Sequence, residues 1–404
     1  MTPIRPYHGS RILLGVTGGI ASYKSAWLAR LLTKAGAEVD VVMTRAATEF
    51  VGAITFEALT GRPVHTGLFD AGRALDHIKL ARGAAGIVVA PSTADFLARA
   101  ATGQADDLLT ATLLAASCPV LLVPAMNDHM WAHPQTQHNV EHLRTLGYQI
   151  LAPDEGMLAA GEGSGPGRMP EPESIFTHVG RLLEPARGLS GRRVLITAGP
   201  TREAIDPVRF ISNHSSGKMG VALANAAWRR GASVDLIAGP MNTPAPVGVT
   251  VHRVESTEDM AAAVERLLPD ADALVMAAAA ADFRPMNVAP LKIKKTDAPP
   301  GIPLAPTIDI LKATQHARRP GSVIVGFALE TNDAVENGKK KLAAKDLDMI
   351  IVNDATEAGA GFGVDTNRVT VLRRDGDEER LPLMPKTEVA DAILDRVESL
   401  IGGR

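Results

Sequence analysis

The feature that most constrains the fold of this 404-residue chain is a short, continuously apolar run that ends in a glycine or proline turn and leads into a helical pattern. Ile12–Val16 ends at Thr17-Gly18-Gly19, and a helix follows over Ala21–Lys34 with Gly36 as its C-cap. The strand Val39–Met43 completes a βαβ unit. Strands that are apolar throughout indicate a parallel sheet covered on both faces, with ligands at the strands' carboxyl ends.

The pattern recurs along the chain and then restarts. Further strands are predicted at 87–90, 120–123 and 148–151, and after the restart at 193–197, 233–238, 249–254, 272–277, 322–326 and 348–353. Helices are predicted at 174–183, 217–230, 257–268, 308–317, 333–346 and 386–401, with a hairpin over 368–372 and 380–382. We therefore predict an α/β protein of two Rossmann-like domains, residues 1–184 and 192–404, with a linker at 185–191.

One segment, residues 153–172, is rich in glycine and proline and lacks periodicity. An exposed loop and an ordered functional lid both fit a segment of this length and composition. The sequence leaves both interpretations open.

Composition excludes several classes of function. The net charge of −3 gives no general attraction to nucleic acid or to anionic membranes. The single cysteine, Cys118, excludes an internal disulfide and a cysteine-rich zinc site. No apolar run is long enough to span a bilayer, and no apolar signal core is found at the N-terminus. We expect a cytoplasmic protein with neither a nucleic-acid nor a membrane partner.

In the first half, candidate site residues follow the predicted strands. The backbone of Gly18 and Gly19 could hold a phosphate, although turn glycines are often steric. Ser92 and Thr93 could offer hydroxyls to the same phosphate or cap a helix. His77 precedes an apolar helix, and a lone histidine in such a position usually has a structural role. It becomes a candidate because of the residues in the next loop. The loop after the third strand adds Asn127, which can fix a carboxylate, and Met130 and Trp131, which can form apolar walls or simply pack.

In the second half, cationic and amide side chains crowd Ile196–Gly220, where a strand, a polar segment and a helix start suit an anionic ligand. Small residues over Ala277–Asp282 would let a ligand approach the backbone, and Asp282 could accept from a ribose hydroxyl. The run Lys292-Ile293-Lys294-Lys295 fits a solvated charge run or a triphosphate clamp.

These motifs together resemble one family along nearly the whole chain, from about residue 10 to 400: the bifunctional coenzyme A biosynthesis proteins. The resemblance rests on GVTGGIASYK, LDHIKLA, APSTADFLARAATGQADDLL, PAMNDHMW, LKIKK, GFALETN, VND and above all AGPTREAIDPVRFISNHSSGKMG. It implies a flavodoxin-like flavin domain of the HFCD type, a phosphopantothenoylcysteine decarboxylase, followed by a nucleotide-binding domain, a phosphopantothenate–cysteine ligase.

For the first domain the resemblance implies FMN held by Gly18, Gly19, Ser92 and Thr93, with His77 essential for decarboxylation and Asn127 and Met130 holding the substrate. Oxidising the substrate thiol through the flavin would create an electron sink beside the departing carboxylate, and a proton must later be delivered to carbon.

The sequence departs from the family at the group that delivers this proton. Ala160 stands where the family has its proton-donating cysteine. Cys118 opens a predicted buried strand, which argues against it as a substitute. We expect decarboxylation through another donor, such as Glu162, Ser164 or a water. The alternative is an active ligase with an impaired decarboxylase.

For the second domain the resemblance implies that CTP activates the carboxylate of 4′-phosphopantothenate as an acyl-cytidylate, which the amine of L-cysteine then attacks. Asn213 and Arg209 would hold this intermediate, Lys292 would stabilise the charge that grows during cytidylyl transfer, and Mg2+ would bridge the triphosphate. CTP would contact Met276, Ala277, Ala278, Asp282, Lys292, Ile308, Asp309, Ile310, Leu311, Phe327, Lys341 and Lys345, of which the lysines face phosphate charge. At 307–309 the chain has Thr-Ile-Asp where the family often has Asn-Pro-Asp.

The resemblance also implies a homo-oligomer, with ligase dimers and flavin-domain trimers combining into a dodecamer. Two other classes stay open on the first domain alone. One is a flavoprotein that acts on a peptide C-terminal cysteine or transfers a prenyl group to flavin. The other is a non-catalytic flavoprotein that serves as a binding module.

Overall fold

The computed structural model describes residues 6–68, 75–157, 163–184, 188–294, 301–330, 332–354, 359, 361 and 363–403. The chain divides into two compact units, Met1–Pro185 and Ala186–Arg404. None of the helices among these residues has the length and apolar character needed to cross a membrane.

The N-terminal unit is built on a parallel sheet in the order β3-β2-β1-β4-β5-β6. Its strands are β1 Arg11–Val16, β2 Glu38–Met43, β3 Val64–His65, β4 Gly86–Ser92, β5 Val120–Pro124 and β6 Gln149–Ile150. Its helices are α1 Ser22–Lys34, α2 Arg45–Thr48, α3 Ala53–Thr60, α4 Asp76–Gly83, α5 Ala94–Ala101, α6 Leu108–Leu114, α7 Asp128–Ala132, α8 Pro134–Thr145 and α9 Pro172–Leu183. Strands β1, β4 and β5 are buried almost throughout, as their apolar sequences predict.

The segment predicted to be a loop or a lid contains a two-stranded antiparallel hairpin, β7 Asp154–Met157 with β8 Ser164–Arg168. The segment is mostly exposed, as either interpretation allows, but residues 154–157 and 164–168 form paired strands that the sequence did not predict. Sequence analysis did not recognise these strands because their glycine and proline residues, such as Gly156 and Gly167, replace the alternating apolar residues of a typical strand.

The C-terminal unit is a second doubly wound sheet, in the order β13-β12-β9-β14-β17-β18-β20-β21. It is parallel from β13 to β18 and antiparallel at β20 and β21. The strands of the sheet are β9 Arg193–Ala198, β12 Ser233–Ala238, β13 Thr250–Arg253, β14 Ala273–Met276, β17 Val323–Glu330, β18 Met349–Asp354, β20 Val369–Arg373 and β21 Glu378–Arg380. Three small two-stranded antiparallel sheets lie outside it: β10 Arg202–Ala204 with β11 Phe210–Ser212, β15 Phe283–Pro285 with β16 Leu304–Pro306, and β19 Thr366–Asn367 with β22 Met384–Pro385.

Its helices are α10 Lys218–Arg229, α11 Thr257–Leu267, α12 Ile310–Ala313, α13 Ala334–Ala344 and α14 Lys386–Gly402. The helix predicted at 308–317 is wrong in extent: α12 is one turn, capped by the side chain of Asp309, and a short 3-10 turn follows at Gln315–Ala317. The terminal hairpin forms, with its second strand at 378–380 instead of 380–382. The predicted α/β fold of two Rossmann-like units is confirmed.

The predicted linker is shorter than its sequence suggested. Residues 185–187 lie outside the described part of the chain, and Leu189 is fully buried in the core of the C-terminal unit beside Val194 and Ile196. The sequence did not predict the burial of Leu189, because a single leucine among polar and small residues forms no periodic apolar pattern.

Candidate functional site

In the N-terminal unit, the loops after β1, β4 and β5 lie side by side because these strands are neighbours in the sheet. The hydroxyl of Thr17 joins two of the loops: it donates to the carbonyl of Pro91 at 2.8 Å and accepts from the backbone N–H of Thr93 at 3.1 Å. The sheet thus brings the predicted flavin-binding segments together at its carboxyl edge.

The two glycines after β1 differ in what they allow. A Cβ on Gly18 would lie 2.4 Å from the Cβ of Ala46, so this glycine is required for packing against α2. Gly19 is open, with Thr93 Cγ2 at 3.8 Å as the nearest atom to an added Cβ. Helix α1 begins without a side-chain cap. Ser22 N and Lys24 N donate to the carbonyls of Gly19 and Ala21, so Tyr23 N is the first-turn amide left for an anionic ligand.

The hydroxyls of Ser92 and Thr93 already have structural roles. Ser92 is buried and donates to the carbonyl of Val89 at 2.8 Å. Thr93 is the N-cap of α5 and accepts from Phe96 N at 3.3 Å, which is the structural alternative considered for this pair. Phosphate binding by Ser92 and Thr93 stays a prediction. It would depend on their backbone groups or on the parts of their hydroxyl groups that these hydrogen bonds leave free.

The loop after β5 presents an amide. The Oδ1 atom of Asn127 accepts from His129 N at 2.9 Å and caps α7, so the Nδ2 group is the part left for a ligand. Met130 is half-exposed, whereas Trp131 packs against the core of the unit. Packing explains Trp131, and Met130 alone is free to form an apolar wall.

The β7–β8 hairpin is fastened to this loop. Met126 N donates to Gly167 O at 3.0 Å, and a Cβ on Gly167 would lie 2.2 Å from Met126 O. At the base of the hairpin the buried Lys24 donates to Met169 O at 2.9 Å and pairs with Glu171 at 3.2 Å. These contacts support the lid interpretation. Ala160 and Glu162 lie outside the described residues, and Ser164 is the exposed first residue of β8.

His77 and Cys118 occupy different places in the unit. His77 is the second residue of α4; its buried Nδ1 atom has no hydrogen-bond partner among the residues described. Within the described part of the chain it makes no hydrogen bond or ion pair with Asn127 or Gly18. Cys118 lies just before β5, at the amino edge of the sheet and away from the candidate loops. Burial raises the pKa of its thiol. The free Nδ1 of His77 and the uncapped α1 fit a polar, anionic cofactor.

The C-terminal unit contains a cavity of about 500 Å³ at the carboxyl ends of β14, β17 and β18. It gathers most of the residues predicted to contact the nucleotide: Asn213, Met276, Ala277, Ala278, Asp282, Ile308, Asp309, Ile310, Leu311, Phe327, Lys341 and Lys345 all line it. Arg209 and Lys292 do not belong to its lining.

Buried hydroxyls shape the backbone on one side of this cavity. Thr197 Oγ1 accepts from Ala278 N at 3.0 Å, and Thr201 Oγ1 accepts from Ala281 N at 2.9 Å. Asn213 Nδ2 donates to the carbonyls of Ala279 and Ala280, both at 3.1 Å. Because two carbonyls face the nitrogen, Asn213 offers only its Oδ1 oxygen to a ligand.

The lysines on α13 are paired with carboxylates. Lys341 lies 2.7 Å from Glu330, and Lys345 lies 3.1 Å from Asp309. Their charges are therefore partly neutralised before any nucleotide binds. The sequence offered no sign of these partners, which come from β17 and from the cap of α12.

Arg209 has partners within the protein that the sequence did not predict, and its contact with the acyl intermediate stays a prediction. Its guanidinium pairs with the buried carboxylate of Asp206 and donates to Ile293 O at 2.8 Å, while Asp206 accepts from Ile293 N at 3.1 Å. The hydrogen bond from Arg209 holds the pKa of Asp206 well below its usual range. Together the two residues clamp the segment between β15 and β16 that carries Lys292, and Lys292 itself is exposed.

The cavity lining also includes polar residues outside the predicted nucleotide contacts, among them Lys218, Asn353, Asn367 and Lys386. Lys218 donates to Asp365 at 2.6 Å and to Gly363 O at 2.9 Å. Lys386, at the start of α14, is buried and donates to the carbonyls of Gly361 and Val364. Burial, together with the charge of Lys218, lowers the pKa of Lys386. A lone lysine or asparagine far along the chain gives no sequence signal for such a position.

No group of three or more His, Cys, Asp or Glu side chains poised for a metal ion occurs in the part of the chain that the structure describes. A Mg2+ ion usually binds through one or two carboxylates together with substrate phosphates, so this finding does not test the predicted ion. The cavity wall does provide the carboxylates of Asp282 and Asp309.

Comparison with known proteins covers both units. Residues 2–184 match the family described as flavoprotein, and residues 189–400 match the DNA/pantothenate metabolism flavoprotein C-terminal domain. The chain is 48% identical over 408 residues to the Coenzyme A biosynthesis bifunctional protein CoaBC of Mycobacterium tuberculosis (strain ATCC 25618 / H37Rv), with 97% of each chain covered. It is 45% identical over 394 residues to the protein of the same name from Bacillus subtilis (strain 168), covering 96% of this chain and 97% of that one. The crystal structure of the C-terminal domain of CoaBC covers 54% of this chain and 100% of its own, at 41% identity and a TM-score of 0.47.

Proposed function

The chain belongs to the family of bifunctional coenzyme A biosynthesis proteins, which joins a flavoprotein decarboxylase domain to a ligase domain, and on this premise we propose the reaction of each unit. The C-terminal unit ligates 4′-phosphopantothenate with L-cysteine, using CTP to activate the carboxylate. The N-terminal unit, with FMN, decarboxylates the resulting phosphopantothenoylcysteine to 4′-phosphopantetheine.

One observation carries the ligase proposal. The cavity of the C-terminal unit combines the Asn213–Gly220 segment with the alanine-rich loop after β14 and with Phe327. Small side chains over Ala277–Ala281 let a nucleotide lie directly against the loop backbone. Most amides of this loop donate within the protein, so Ala280 N and the second lone pairs of the carbonyls are the groups left for the nucleotide. Activation is needed because a free carboxylate is a poor electrophile, and CMP is a competent leaving group.

Each residue then has a defined task. Asn213 Oδ1 accepts a hydrogen bond and orients the incoming amine or an amide of the acyl group, since its nitrogen is already bound. Asp282 and Asp309 supply oxygen ligands to a Mg2+ ion on the triphosphate. Lys292 stabilises negative charge during cytidylyl transfer. Because it lies on the clamped segment outside the cavity lining, we assign Asp206 and Arg209 the task of positioning it.

A product assay tests the ligase. The full chain is incubated with 4′-phosphopantothenate, CTP, Mg2+ and cysteine, and CMP and the amide product are identified by mass spectrometry. Lys292→Gln should abolish CMP release. The matched control Lys340→Gln, at an exposed lysine that lies 4.0 Å from Glu336 on the same helix, should retain it. Normal turnover by Lys292→Gln would refute the role of this lysine. Absence of CMP with the unaltered chain would refute the proposed reaction.

For the decarboxylase, the observation that carries the proposal is the convergence of the β1, β4 and β5 loops under the fastened β7–β8 hairpin. FMN, held through the backbone at Gly18, Gly19, Ser92 and Thr93, supplies two-electron oxidation and reduction of the substrate. Asn127 Nδ2 and Met130 hold the substrate, His77 exchanges a proton through its free Nδ1, and the hairpin excludes water.

The last proton must come from a group other than a thiol at position 160. Cys118 is at the wrong edge of the sheet for this task. We assign the proton to Ser164, to Glu162 or to a water held by the hairpin. Mass spectrometry of the decarboxylated product decides: 4′-phosphopantetheine supports a replacement donor, and a species two hydrogens lighter shows that reduction stops without one.

We also propose a cytoplasmic homo-oligomer. Ile20, Tyr23 and Trp27, spaced by three and four residues at the start of α1, expose their apolar side chains. Their helical spacing puts them on one face, and a contiguous exposed apolar patch is typical of an interaction surface. Light scattering of the purified chain would give the mass, and a monomer would overturn this part of the proposal.

A further inference from the structure

One end of the ligase cavity carries polar groups that the reaction described above leaves unused. Asn367 is 1% exposed; its Oδ1 atom accepts from Arg368 N at 3.1 Å, while its Nδ2 group has no hydrogen-bond partner among the described residues. A buried, unpartnered donor is costly unless a ligand or water completes it. Asn367 lines the cavity, so a ligand there can reach this donor.

Lys386 adds a buried positive charge to the same wall. It is 7% exposed, and its two hydrogen bonds go to the carbonyls of Gly361 and Val364, at 3.0 and 2.6 Å. An ammonium group has three donors, so one remains. Among the residues described, the nearby carboxylate of Asp365 acts on Lys386 but pairs directly with Lys218, at 2.6 Å. A buried cation gains most from an anion that enters the cavity.

The N-terminus of α10 faces the same cavity. Gly217, Lys218, Met219 and Gly220 line it, and the helix has no side-chain cap. Val221 N is the first amide in the helical pattern, bonded to Gly217 O, so earlier N–H groups remain for an anion. A Cβ on Gly220 would lie 2.5 Å from that of Ala198, which fixes this end of the helix on β9.

We propose that Lys386 and Asn367, with the N-terminus of α10, form a subsite for a phosphoryl group. The inference rests on the proposed ligase function, which supplies two phosphoryl sources: the phosphate chain of the nucleotide and the phosphate ester of the acyl substrate. A phosphoryl group has enough acceptor oxygens to use the lysine, the amide and the helix donors together. Lys341 and Lys345 on α13 each have a carboxylate of their own, Glu330 and Asp309. At the other end of the cavity, among the described residues, Lys218 and Lys386 share the single exposed carboxylate of Asp365, so that end keeps an excess of positive charge.

Two variants test the subsite without removing its supports. Asn367→Asp keeps an oxygen for Arg368 N and replaces only the unpartnered donor with a negatively charged oxygen. Lys386→Met keeps the apolar stem and removes the charge. Lys340→Gln, on the exposed side of α13, is the matched control. Circular dichroism and thermal melting confirm that each variant folds.

Calorimetric titration of the full chain uses tripolyphosphate, CTP, cytidine, 4′-phosphopantothenate and pantothenate as probes. Both variants should bind the phosphorylated probes with about tenfold or more lower affinity, and their affinity for the unphosphorylated probes should not change. Loss confined to CTP and tripolyphosphate identifies the nucleotide as the source, and loss confined to 4′-phosphopantothenate identifies the acyl substrate. Unchanged affinity for every phosphorylated probe overturns the subsite. If the unaltered chain binds tripolyphosphate through these residues but releases no CMP, the proposed ligase reaction fails and the subsite stands.

Discussion

A cluster of buried charges joins α10 to α14 and gives a sharp prediction about the C-terminal unit. Arg229 Nη2 lies 2.8 Å from Asp391 Oδ1, and Arg230 Nη2 lies 3.1 Å from the same atom. The side chains of Arg229 and Asp391 are each 8% exposed and that of Arg230 is 1% exposed. Asp391→Ala would leave both guanidinium groups without this carboxylate in a site that water hardly reaches.

The structure sets the size of the effect. Removing one partner of a buried ion pair typically costs 3–5 kcal/mol. Arg230 keeps Asp395 and Glu398 at 2.9 and 3.3 Å, so we expect the lower end, about 3 kcal/mol. If amides of α10 and α14 exchange through opening of the whole unit, their hydrogen exchange should become roughly 100-fold faster.

Hydrogen–deuterium exchange of the full chain measures this directly, because peptides from β1, β4 and β5 report on the other unit and act as an internal control. Asp391→Asn, which keeps the acceptor oxygen, should give a smaller change. Glu265→Ala, which removes an exposed pair with His316, should change stability by less than about 0.5 kcal/mol. Less than fivefold acceleration in Asp391→Ala would refute the view that this cluster fixes α10 to α14.

Three other predictions concern the site and the N-terminal unit. Asp206→Ala should lower ligase turnover by roughly tenfold or more and leave decarboxylation unchanged, because it releases Arg209 and the segment that carries Lys292; equal loss of both activities would contradict this. Gly18→Ala should yield protein with little bound flavin, seen by absorbance, since its Cβ would lie within 2.4 Å of a neighbouring Cβ; full flavin content would contradict the steric role. Burial lowers the pKa of His178 below its ordinary 6.5, so the unfolded chain binds this proton more tightly and stability should fall as pH drops below about 6.5. His178→Gln should reduce that loss in melting temperature between pH 7.5 and 5.5, and an unaltered pH dependence would show that other groups cause it.

The sequence by itself determined the fold class and most strand positions. Continuously apolar runs such as Ile12–Val16 and Val120–Val123 must be buried on both faces, and only a covered parallel sheet does this. Strand ends in such a sheet face one edge, so the sequence also predicted the loops at Gly18, Asn127 and Ala277 as site loops. The long motif Ile196–Gly220 carried the resemblance to the family, because so many polar residues at fixed spacing rarely recur by chance.

Only the tertiary structure decided which donor and acceptor atoms those residues have left. Asn213 is an acceptor because Ala279 and Ala280 occupy its nitrogen, and Arg209 is a clamp because Asp206 occupies its guanidinium. Lys386 reaches the ligase cavity from a helix far along the chain. Hydrogen bonds between residues distant in sequence have no periodicity and no local spacing, so their partners emerge only when the chain is packed.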